Sequence, residues 1–373
     1  MSRFSAASAF SHAQPARTAV LLVQLGTPER PEAGPVRRYL RQFLSDPRVV
    51  EIPRAIWWPI LNGAILPTRP ARSARKYASI WTDKGSPLLV HTKAQASLVR
   101  GYLGNEGLDV DVAFAMRYGE PSIGATLREL REKNLTRLLV VPMYPQYAGS
   151  TTATVFDEVA RELSGWRNLP ELRFVRGFHD QAAYIDALAA RVRQSWGNDG
   201  PPDVLLMSFH GVPRRSLLAG DPYHCECLAT GRLLAEKLQL PGGRWQVSFQ
   251  SRFGRAEWLQ PYTEATLKDL AKAGHQRVDV VCPGFVADCL ETLEEIAIEA
   301  RETFLAAGGA DFRYIPCLND RPEFIRALTS LVQAQTSGWR VSRKTPGKPG
   351  GDPAADPVLI ARAQRAKALG AVR

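Results

Sequence analysis

Internal duplication is the feature of this sequence that most constrains its fold. Three segments of the first half match three of the second in the same order, and such self-similarity must be found before a fold is assigned. The matched pairs are AVLLVQLGTP (19–28) with DVLLMSFHGVP (203–213), FAMRYGEPSIGATLREL (114–130) with FQSRFGRAEWLQPYTEATLKDL (249–270), and RLLVVPMYPQYAGSTTATVFDEV (137–159) with RVDVVCPGFVADCLETLEEI (277–296).

Each repeated unit is a short apolar run that ends in Gly or Pro and precedes an amphipathic segment. This order indicates a strand, a loop and a helix of a parallel sheet covered on both faces. The sequence therefore predicts an α/β protein with two similar doubly wound, Rossmann-like parallel-sheet domains. Ligands of such sheets bind beyond the carboxyl ends of the strands, where the loops converge on a cleft.

The repeat also predicts the domain organisation. Residues 1–16 are expected to form a disordered arm and residues 17–165 the first α/β domain, which carries an insert at about 30–90. Residues 166–335 form the second domain. Residues 336–373 are rich in Pro, Gly and Lys/Arg, which is typical of a basic flexible tail, here ending in a short helix.

Composition excludes several classes of protein. The formal net charge is +11, but much of the excess lies in the tail, so no nucleic-acid partner is expected. The longest apolar run, IWWPILNGAIL (56–66), is interrupted by Pro59 and Asn62 and is shorter than the roughly 18 residues of a membrane span. Five cysteines, an odd number, favour a reducing compartment, and the cytoplasm is the expected location.

Where the halves differ at matching loop positions, one copy has acquired a task. His210 in SFHGVP stands where the first half has Leu25. A lone His is more often structural than functional. This one ends a buried-strand pattern, however, where side chains point into the cleft, and an imidazole there can accept a proton or bind a borderline metal.

The second difference is a row of acids in ADCLETLEEIAIEA. Glu291 matches Ala153 of the first half, and Asp288, Glu295 and Glu299 follow the same helical spacing without a Lys or Arg between them. Like charges at this spacing destabilise a helix. A solvated face opposite the apolar one explains the row if it is judged alone. A His and a row of carboxylates on neighbouring loops instead predict a site for a divalent cation and protons.

The third difference is an insert of roughly 50 residues in the first half. Its apolar segment, residues 56–66, is called the lip here, and Arg69 and Arg72 follow it. A buried core is one interpretation of the lip. The other is contact with an apolar ligand that has anionic edges, or with a membrane surface. Taken together, the three differences indicate a flat hydrophobic dianion and a divalent metal as ligands.

At this point the residues resemble a known family, the ferrochelatases, which insert ferrous iron into protoporphyrin IX to form protohaem with release of two protons. The similarity runs from about residue 18 to residue 335. It rests on a set of separate blocks in order: LGTPE, KGSPL, FAMRYGEP, YPQYAGSTT, SFHGVP followed by GDPY, QSRFGRAEWLQP and CPGFVADCLETLEEI.

The resemblance implies a chelatase-type fold and a lyase of haem biosynthesis, with His210 and Glu291 as the catalytic and metal-binding pair. Whether His210 accepts pyrrole protons or contacts the metal first stays open. Glu295, Glu299 and Asp288 become a relay for protons or metal, aligned by a π-helical turn. The residues implied to line the porphyrin site are Leu25, Arg69, Arg72, Ser86, Arg117, Tyr118, Tyr144, Ser150, Trp258 and Phe285.

The chain also departs from the family. Cys289 stands where many relatives have His, so its role is open. No cysteine lies in the tail, so neither a [2Fe–2S] cluster of the animal type nor another resident cofactor is expected, and Fe²⁺ is a substrate. HCEC (224–227) is a weak candidate metal site. Peripheral membrane contact through the lip is expected beside the cytoplasmic location.

Three alternative functions stay open. A related chelatase would insert cobalt or nickel into an earlier tetrapyrrole, with more His in its pocket. A porphyrin or haem carrier without chemistry would be indifferent to loss of Glu291. A two-domain sensor of small anions is the third. The sequence fixes neither protoporphyrin against coproporphyrin as substrate nor the oligomeric state.

Overall fold

A computed structural model of the chain describes residue 4, residues 12–254 and 256–339, residue 341 and residues 356–371. Its described part contains two four-stranded sheets in which every strand pair is parallel. The strands are β1 Arg17–Gly26, β2 Asp111–Tyr118, β3 Leu135–Pro142, β4 Glu171–Phe174, β5 Val204–His210, β6 Trp245–Gln250, β7 Arg277–Val281 and β8 Asp311–Ile315.

The two sheets have the same topology. The strand order is β2-β1-β3-β4 in the first and β6-β5-β7-β8 in the second. In each sheet the first strand of its half lies between the second and the third, which is the reversal of a doubly wound sheet. The predicted duplication and fold class are confirmed.

Helices cover both faces of the sheets, which is why β1, RTAVLLVQLG, is a nearly continuous apolar run. The helices are α1 Ala33–Leu44, α2 Arg54–Ile60, α3 Leu66–Ile80, α4 Pro87–Asn105, α5 Ile123–Glu132, α6 Thr152–Leu163, α7 Ala182–Trp196, α8 Arg214–Leu218, α9 Tyr223–Leu238, α10 Thr263–Lys272, α11 Leu290–Leu293, α12 Arg301–Ala306, α13 Pro322–Thr336 and α14 Pro357–Ala368. π-helical turns occupy Leu61–Ile65 and Glu295–Ala300, and a 3₁₀ turn occupies Gly197–Asp199.

The two halves share one core. A single apolar cluster contains Val20 and Leu22 of β1 together with Leu205 and Met207 of β5. The last helix of the second half, α13, packs against α4 and α7. Strand β4 pairs with β3, so the first sheet continues past residue 165, where the sequence placed the domain boundary.

The insert forms a helical layer of its own. α1, α2 and α3 pack around Tyr39, Leu61 and Tyr77, and this cluster also contains Tyr118 of β2. α3 packs against α1 and α11. It therefore reaches from the first half to the acidic helix of the second, the name used here for α11, the π-helical turn Glu295–Ala300 and α12 together. The insert therefore covers the end of both sheets where the site was predicted.

The chain ends differ in part from expectation. Residues 12–16 were placed in a disordered arm, yet Asn134 donates its amide to the carbonyl oxygens of Gln14 and Pro15. The predicted short helix of the tail is present as α14, and Arg362 donates to the carbonyl oxygens of His12 and Gln14. Residues 1–3 and 5–11, and residues 340, 342–355 and 372–373 of the tail, lie outside the described residues.

Among the described residues, no helix has both the length and the apolar character required to cross a bilayer.

Candidate functional site

His210 is the last residue of β5 and lies at the carboxyl edge of the second sheet. Its Nδ1 is 2.6 Å from the carbonyl oxygen of Gly211. A neutral ring that donates from Nδ1 leaves Nε2 as an acceptor. Gly211 is required here because a Cβ atom would lie 2.8 Å from the carbonyl oxygen of Gln250. The strand end thus presents one nitrogen of a half-buried imidazole for chemistry.

Gln250 and Ser251, at the end of the neighbouring strand β6, connect His210 to the acids. Gln250 is the ladder partner of His210, and its amide donates to the carbonyl oxygen of Glu291 at 2.7 Å and to Glu295 at 3.3 Å. Ser251 donates to the two carboxylate oxygens of Glu295 through its amide at 2.6 Å and its hydroxyl at 2.5 Å. His210, Glu291 and Glu295 are therefore brought together at one edge of the sheet.

Glu295 is an acid of this site whose titration the structure changes. Burial raises the pKa of its carboxyl, and part of that rise is opposed by the hydrogen bonds from Ser251 and by the charge of His210 nearby. Glu291 also raises it. A carboxylate with a raised pKa accepts protons more readily than an exposed one.

The acidic helix begins with Cys289. The Cys289 side chain accepts from the amide of Thr292, and the Thr292 hydroxyl accepts from the amide of Cys289 at 3.0 Å. This capping box fixes the first turn, which carries Glu291. Burial raises the pKa of the Cys289 thiol, and the charge of Glu291 adds to the effect. The structure thus gives Cys289 a capping role and a neutral thiol.

The π-helical turn that the resemblance implied is present at Glu295–Ala300. The amide of Glu299 donates to the carbonyl oxygen of Glu294 at 3.0 Å, five residues back. Glu299 does not continue the row toward Glu295 in its described contacts. Its carboxylate lies 2.6 Å from Nζ of Lys76 on α3. Single-turn π-helices are frequently found at functional sites.

Asp288 is buried and held by four donors of the second half. The hydroxyls of Tyr314 at 2.5 Å and Thr292 at 3.3 Å, the amide of Asn319 at 2.6 Å and the main-chain N–H of Cys317 at 3.2 Å all donate to its carboxylate. These contacts fix the turn before α11. The relay role expected for Asp288 finds no support in them.

Three tyrosines of the first half lie close enough to Glu291 for its charge to shift the pKa of each phenol. They are Tyr39 of α1, Tyr77 of α3 and Tyr144. Burial raises the pKa of each phenol well above the ordinary value, and the charge of Glu291 contributes at all three. Neutral phenols are hydrogen-bond donors. The three tyrosines, called the first-half wall here, therefore suit a carboxylate and a cation bound to it. Tyr39 and Tyr77 were not predicted, because the insert has no counterpart in the second half.

The predicted porphyrin residues fall into two groups. Arg117 contacts the buried Asp46 at 2.5 Å and the carbonyl oxygen of Thr154 at 2.8 Å, and the Tyr118 hydroxyl donates to Asp46 at 2.8 Å. The guanidinium of Arg69 lies over the Phe253 ring at 4.9 Å. These cations are engaged within the protein, and Asp46 was not predicted.

The other predicted porphyrin residues lie around the cleft. The Trp258 and His210 rings are 6.4 Å apart. Among the described residues, the Tyr144 hydroxyl and the Trp258 indole N–H are buried atoms that lack a hydrogen-bond partner. Arg72 is exposed and Ser86 is buried at the start of α4, while Leu25, Ser150 and Phe285 are half-buried.

The HCEC segment does not converge on a point. Cys227 is buried and Cys225 is exposed, the His224 ring packs 5.5 Å from the Phe249 ring, and Glu226 accepts from the amide of Tyr147 at 2.7 Å. Across the described ranges, no group of three or more His, Cys, Asp or Glu is arranged to hold a metal ion. The weak metal candidate at 224–227 is therefore not supported.

A shallow surface cavity of about 760 Å³ lies between α9 and β6, and Leu228, Arg232 and Trp245 are among its lining residues. It contains no acid and no His, so it offers neither a base nor a metal ligand. The acids and the His that the sequence predicts for the site lie instead at the strand ends of the second sheet.

Comparisons with known proteins identify the family of the chain. The family model described as ferrochelatase matches residues 17–336. A protein named ferrochelatase from Aromatoleum aromaticum is 59% identical over 374 residues, covering 100% of both chains. Another, from Azoarcus sp., is 62% identical and covers 91% of this chain and 93% of its own. A solved structure of SirB from Bacillus subtilis with Fe³⁺ aligns with a TM-score of 0.51 at 12% identity, over 86% of this chain and 96% of SirB, which shows the fold alone.

Proposed function

The chain belongs to the ferrochelatase family, and we propose that it inserts ferrous iron into protoporphyrin IX at the edge of the second sheet, with His210 and Glu291 as the reacting pair. This reaction forms protohaem, the terminal step of haem biosynthesis. One observation carries the site assignment. Gln250, the ladder partner of His210, donates to the carbonyl oxygen of Glu291 and to the Glu295 carboxylate. Base and acids are thus parts of one hydrogen-bonded unit.

His210 accepts a pyrrole proton in this proposal. Two N–H protons leave the porphyrin as Fe²⁺ enters. Their departure balances the two positive charges of the iron, so the reaction needs a group that accepts protons. The bond from Nδ1 to the carbonyl oxygen of Gly211 directs the free lone pair of Nε2 away from the main chain. A neutral imidazole is a suitable base near neutral pH.

The acids deliver iron and take the remaining proton. Glu291 is the proposed ligand of Fe²⁺, since carboxylate oxygens suit divalent cations and the neutral phenols of Tyr39, Tyr77 and Tyr144 add no competing charge. Glu295 is the proposed next proton acceptor, which its burial and raised pKa support. Glu299 joins this relay only when it leaves Lys76.

The porphyrin lies in this proposal between the first-half wall and Trp258. The unpartnered polar atoms of Tyr144 and Trp258 support a ligand there. The exposed Arg72 is the proposed partner of the propionates, because Arg69 and Arg117 already contact Phe253 and Asp46. Binding energy at these remote groups supports a distorted ring whose nitrogens are open to the metal.

We further propose peripheral membrane contact through the lip, and a cytoplasmic location. Ile56, Trp58 and Ile60 are exposed along the lip, which supports the contact. All five cysteines are free thiols, which fits a reducing compartment. We also propose that no resident cofactor is bound; for a [2Fe–2S] cluster of the animal type, the support is that no cysteine follows Cys317 in the sequence.

Anaerobic incubation with Fe²⁺ and protoporphyrin IX tests the function. Loss of porphyrin fluorescence and appearance of the protohaem spectrum are expected. Parallel reactions with coproporphyrin III, and with Co²⁺ or Ni²⁺ and an earlier tetrapyrrole, identify the preferred pair. Tight haem retention without insertion would instead favour the carrier, and insertion of only cobalt or nickel would favour the related chelatases.

A further inference from the structure

Lys76 links the two halves of the molecule at the acidic helix. It lies on α3 of the insert, and its Nζ is 2.9 Å from the carboxylate of Glu294 and 2.6 Å from that of Glu299. The two glutamates belong to the second half, more than two hundred residues further along the chain. One ammonium thus bridges two carboxylates across the cleft.

The bridge depends on the π-helical turn. Residues five apart point roughly 140° away from each other on an α-helix, at about 100° per residue. The wider turn bonds the amide of Glu299 to the carbonyl oxygen of Glu294 and brings the two side chains toward one side. Lys76 contacts both carboxylates in this form of the helix. On a regular helix the two side chains would diverge, so the two ion pairs favour the π-helical turn.

The charge and the burial of the two glutamates make their bridge by Lys76 important for the shape of the helix. The Glu294 side chain is largely buried, whereas Glu299 is half exposed. Without Lys76 the two carboxylates would face each other, and one of them would be a buried charge without its cation. The helix would then relieve the repulsion by separating Glu294 from Glu299, which opens the turn.

The clamped turn also carries the reacting acids. Glu295 begins it and is bonded to Ser251, and Glu291 lies one turn earlier with its carbonyl oxygen held by Gln250. We propose that Lys76 is a positioning residue for iron insertion, which holds Glu294 to Glu299 and thereby keeps Glu291 and Glu295 in register with His210. This inference rests on the proposed function but concerns Lys76 and its ion pairs with Glu294 and Glu299, which are not part of the porphyrin site described above.

Hydrogen exchange of the substrate-free protein tests the clamp without activity. Peptides covering residues 290–306 are compared in wild type, Lys76→Met, Lys76→Arg and the double variant Lys76→Met with Glu294→Gln. Lys76→Met should speed exchange by about tenfold, because the turn opens locally. Lys76→Arg should stay near wild type, and the double variant should recover most of the protection. Lys268→Met, which breaks a surface pair with Glu264 at 2.5 Å on α10, is the matched control and should change nothing in this peptide.

Steady-state kinetics with Fe²⁺ and protoporphyrin IX follow on the same variants. Lys76→Met should lower kcat/KM for iron about tenfold with the porphyrin KM unchanged, and the double variant should regain most of that loss. Wild-type exchange and rates in Lys76→Met would overturn the inference. So would a double variant no better than the single one, since Lys76 would then only support the fold. If the wild type inserts no iron, the proposed function fails, and the exchange results still decide whether the clamp exists.

Discussion

The side-chain amide of Gln250 donates a hydrogen bond to the main-chain carbonyl oxygen of Glu291 at 2.7 Å. Gln250 is also the ladder partner of His210 and accepts a hydrogen bond from the buried Ser208 hydroxyl at 2.8 Å. A single amide therefore ties the strand end that carries the base to the helix that carries the acids. The geometry of the site depends on this residue although it has no chemistry of its own.

Replacing Gln250 by Leu should lower kcat by about tenfold or more, because Glu291 and Glu295 lose their tie to β6. Two buried groups would also lose their partner, which should cost about 1–3 kcal/mol of unfolding free energy. Iron-insertion kinetics and urea unfolding measure the two effects. Gln246→Leu, at the other end of the same strand, is the control. A Gln250→Leu enzyme with wild-type kcat would show that the tie is dispensable.

Glu295→Gln should change how stability depends on pH. A carboxyl whose folded pKa is raised binds protons better in the folded state, so it stabilises the fold below the ordinary glutamate pKa. That contribution is lost as the pH rises from about 4 through the raised folded value. The stability of Glu295→Gln relative to wild type should therefore increase over this window and then level off. Unfolding at a series of pH values checks this, and a stability of Glu295→Gln relative to wild type that falls with rising pH would contradict it.

The two lip tryptophans should behave differently. Trp58 is 50% exposed, whereas Trp57 is 8% exposed and donates its indole N–H to the carbonyl oxygen of Leu44 at 2.7 Å. Ile56→Ser with Trp58→Ser should abolish co-sedimentation with anionic vesicles at nearly unchanged stability. Trp57→Ser should cost about 3–5 kcal/mol of unfolding free energy. Leu169→Ser, at a residue 59% exposed before β4, is the control. Vesicle binding that survives the paired change would remove the lip from the membrane proposal.

Asp46 should matter for stability through Arg117. Asp46→Ala leaves a buried guanidinium without its anion, which should cost about 3–5 kcal/mol. Asp46→Asn keeps an acceptor oxygen for Arg117 and Tyr118 and should cost less. Chemical unfolding of the two variants measures the order. Equal stability of Asp46→Ala and wild type would mean that Arg117 is free to serve a ligand.

Much of the fold could be predicted from the local pattern of apolar residues and from the internal duplication. Apolar runs followed by amphipathic segments predicted the parallel sheets, and the ordered repeat predicted their equal topology. The boundary after residue 165 was wrong for the first sheet, since β4 is short and mostly polar at its start. The packing of α13 against α4 of the first half joins distant parts of the chain, so no local sequence pattern indicates it.

For the site, the differences between the halves single out His210 and Glu291, and they also mark two residues of β6 and its following loop. Gln250 and Ser251 match Ala115 and Met116 in the aligned segments, so their polarity was a readable signal. Tyr39, Tyr77 and Lys76 gave no such signal, because the insert occurs once and their contacts join distant parts of the chain. Regular helical spacing places Glu299 in line with Glu295, whereas the π-helical turn changes the angle between residues.

The most direct test is single-turnover insertion of Fe²⁺ into bound protoporphyrin IX by His210→Ala and Glu291→Gln. Both variants should bind the porphyrin about as tightly as wild type, yet insert iron about 10²- to 10⁴-fold more slowly, as expected for loss of a proton acceptor or a metal ligand. His275→Ala, in the loop before β7, and Glu302→Gln, on α12, should insert iron at the wild-type rate. Wild-type insertion by either His210→Ala or Glu291→Gln would contradict the assignment of the reacting pair.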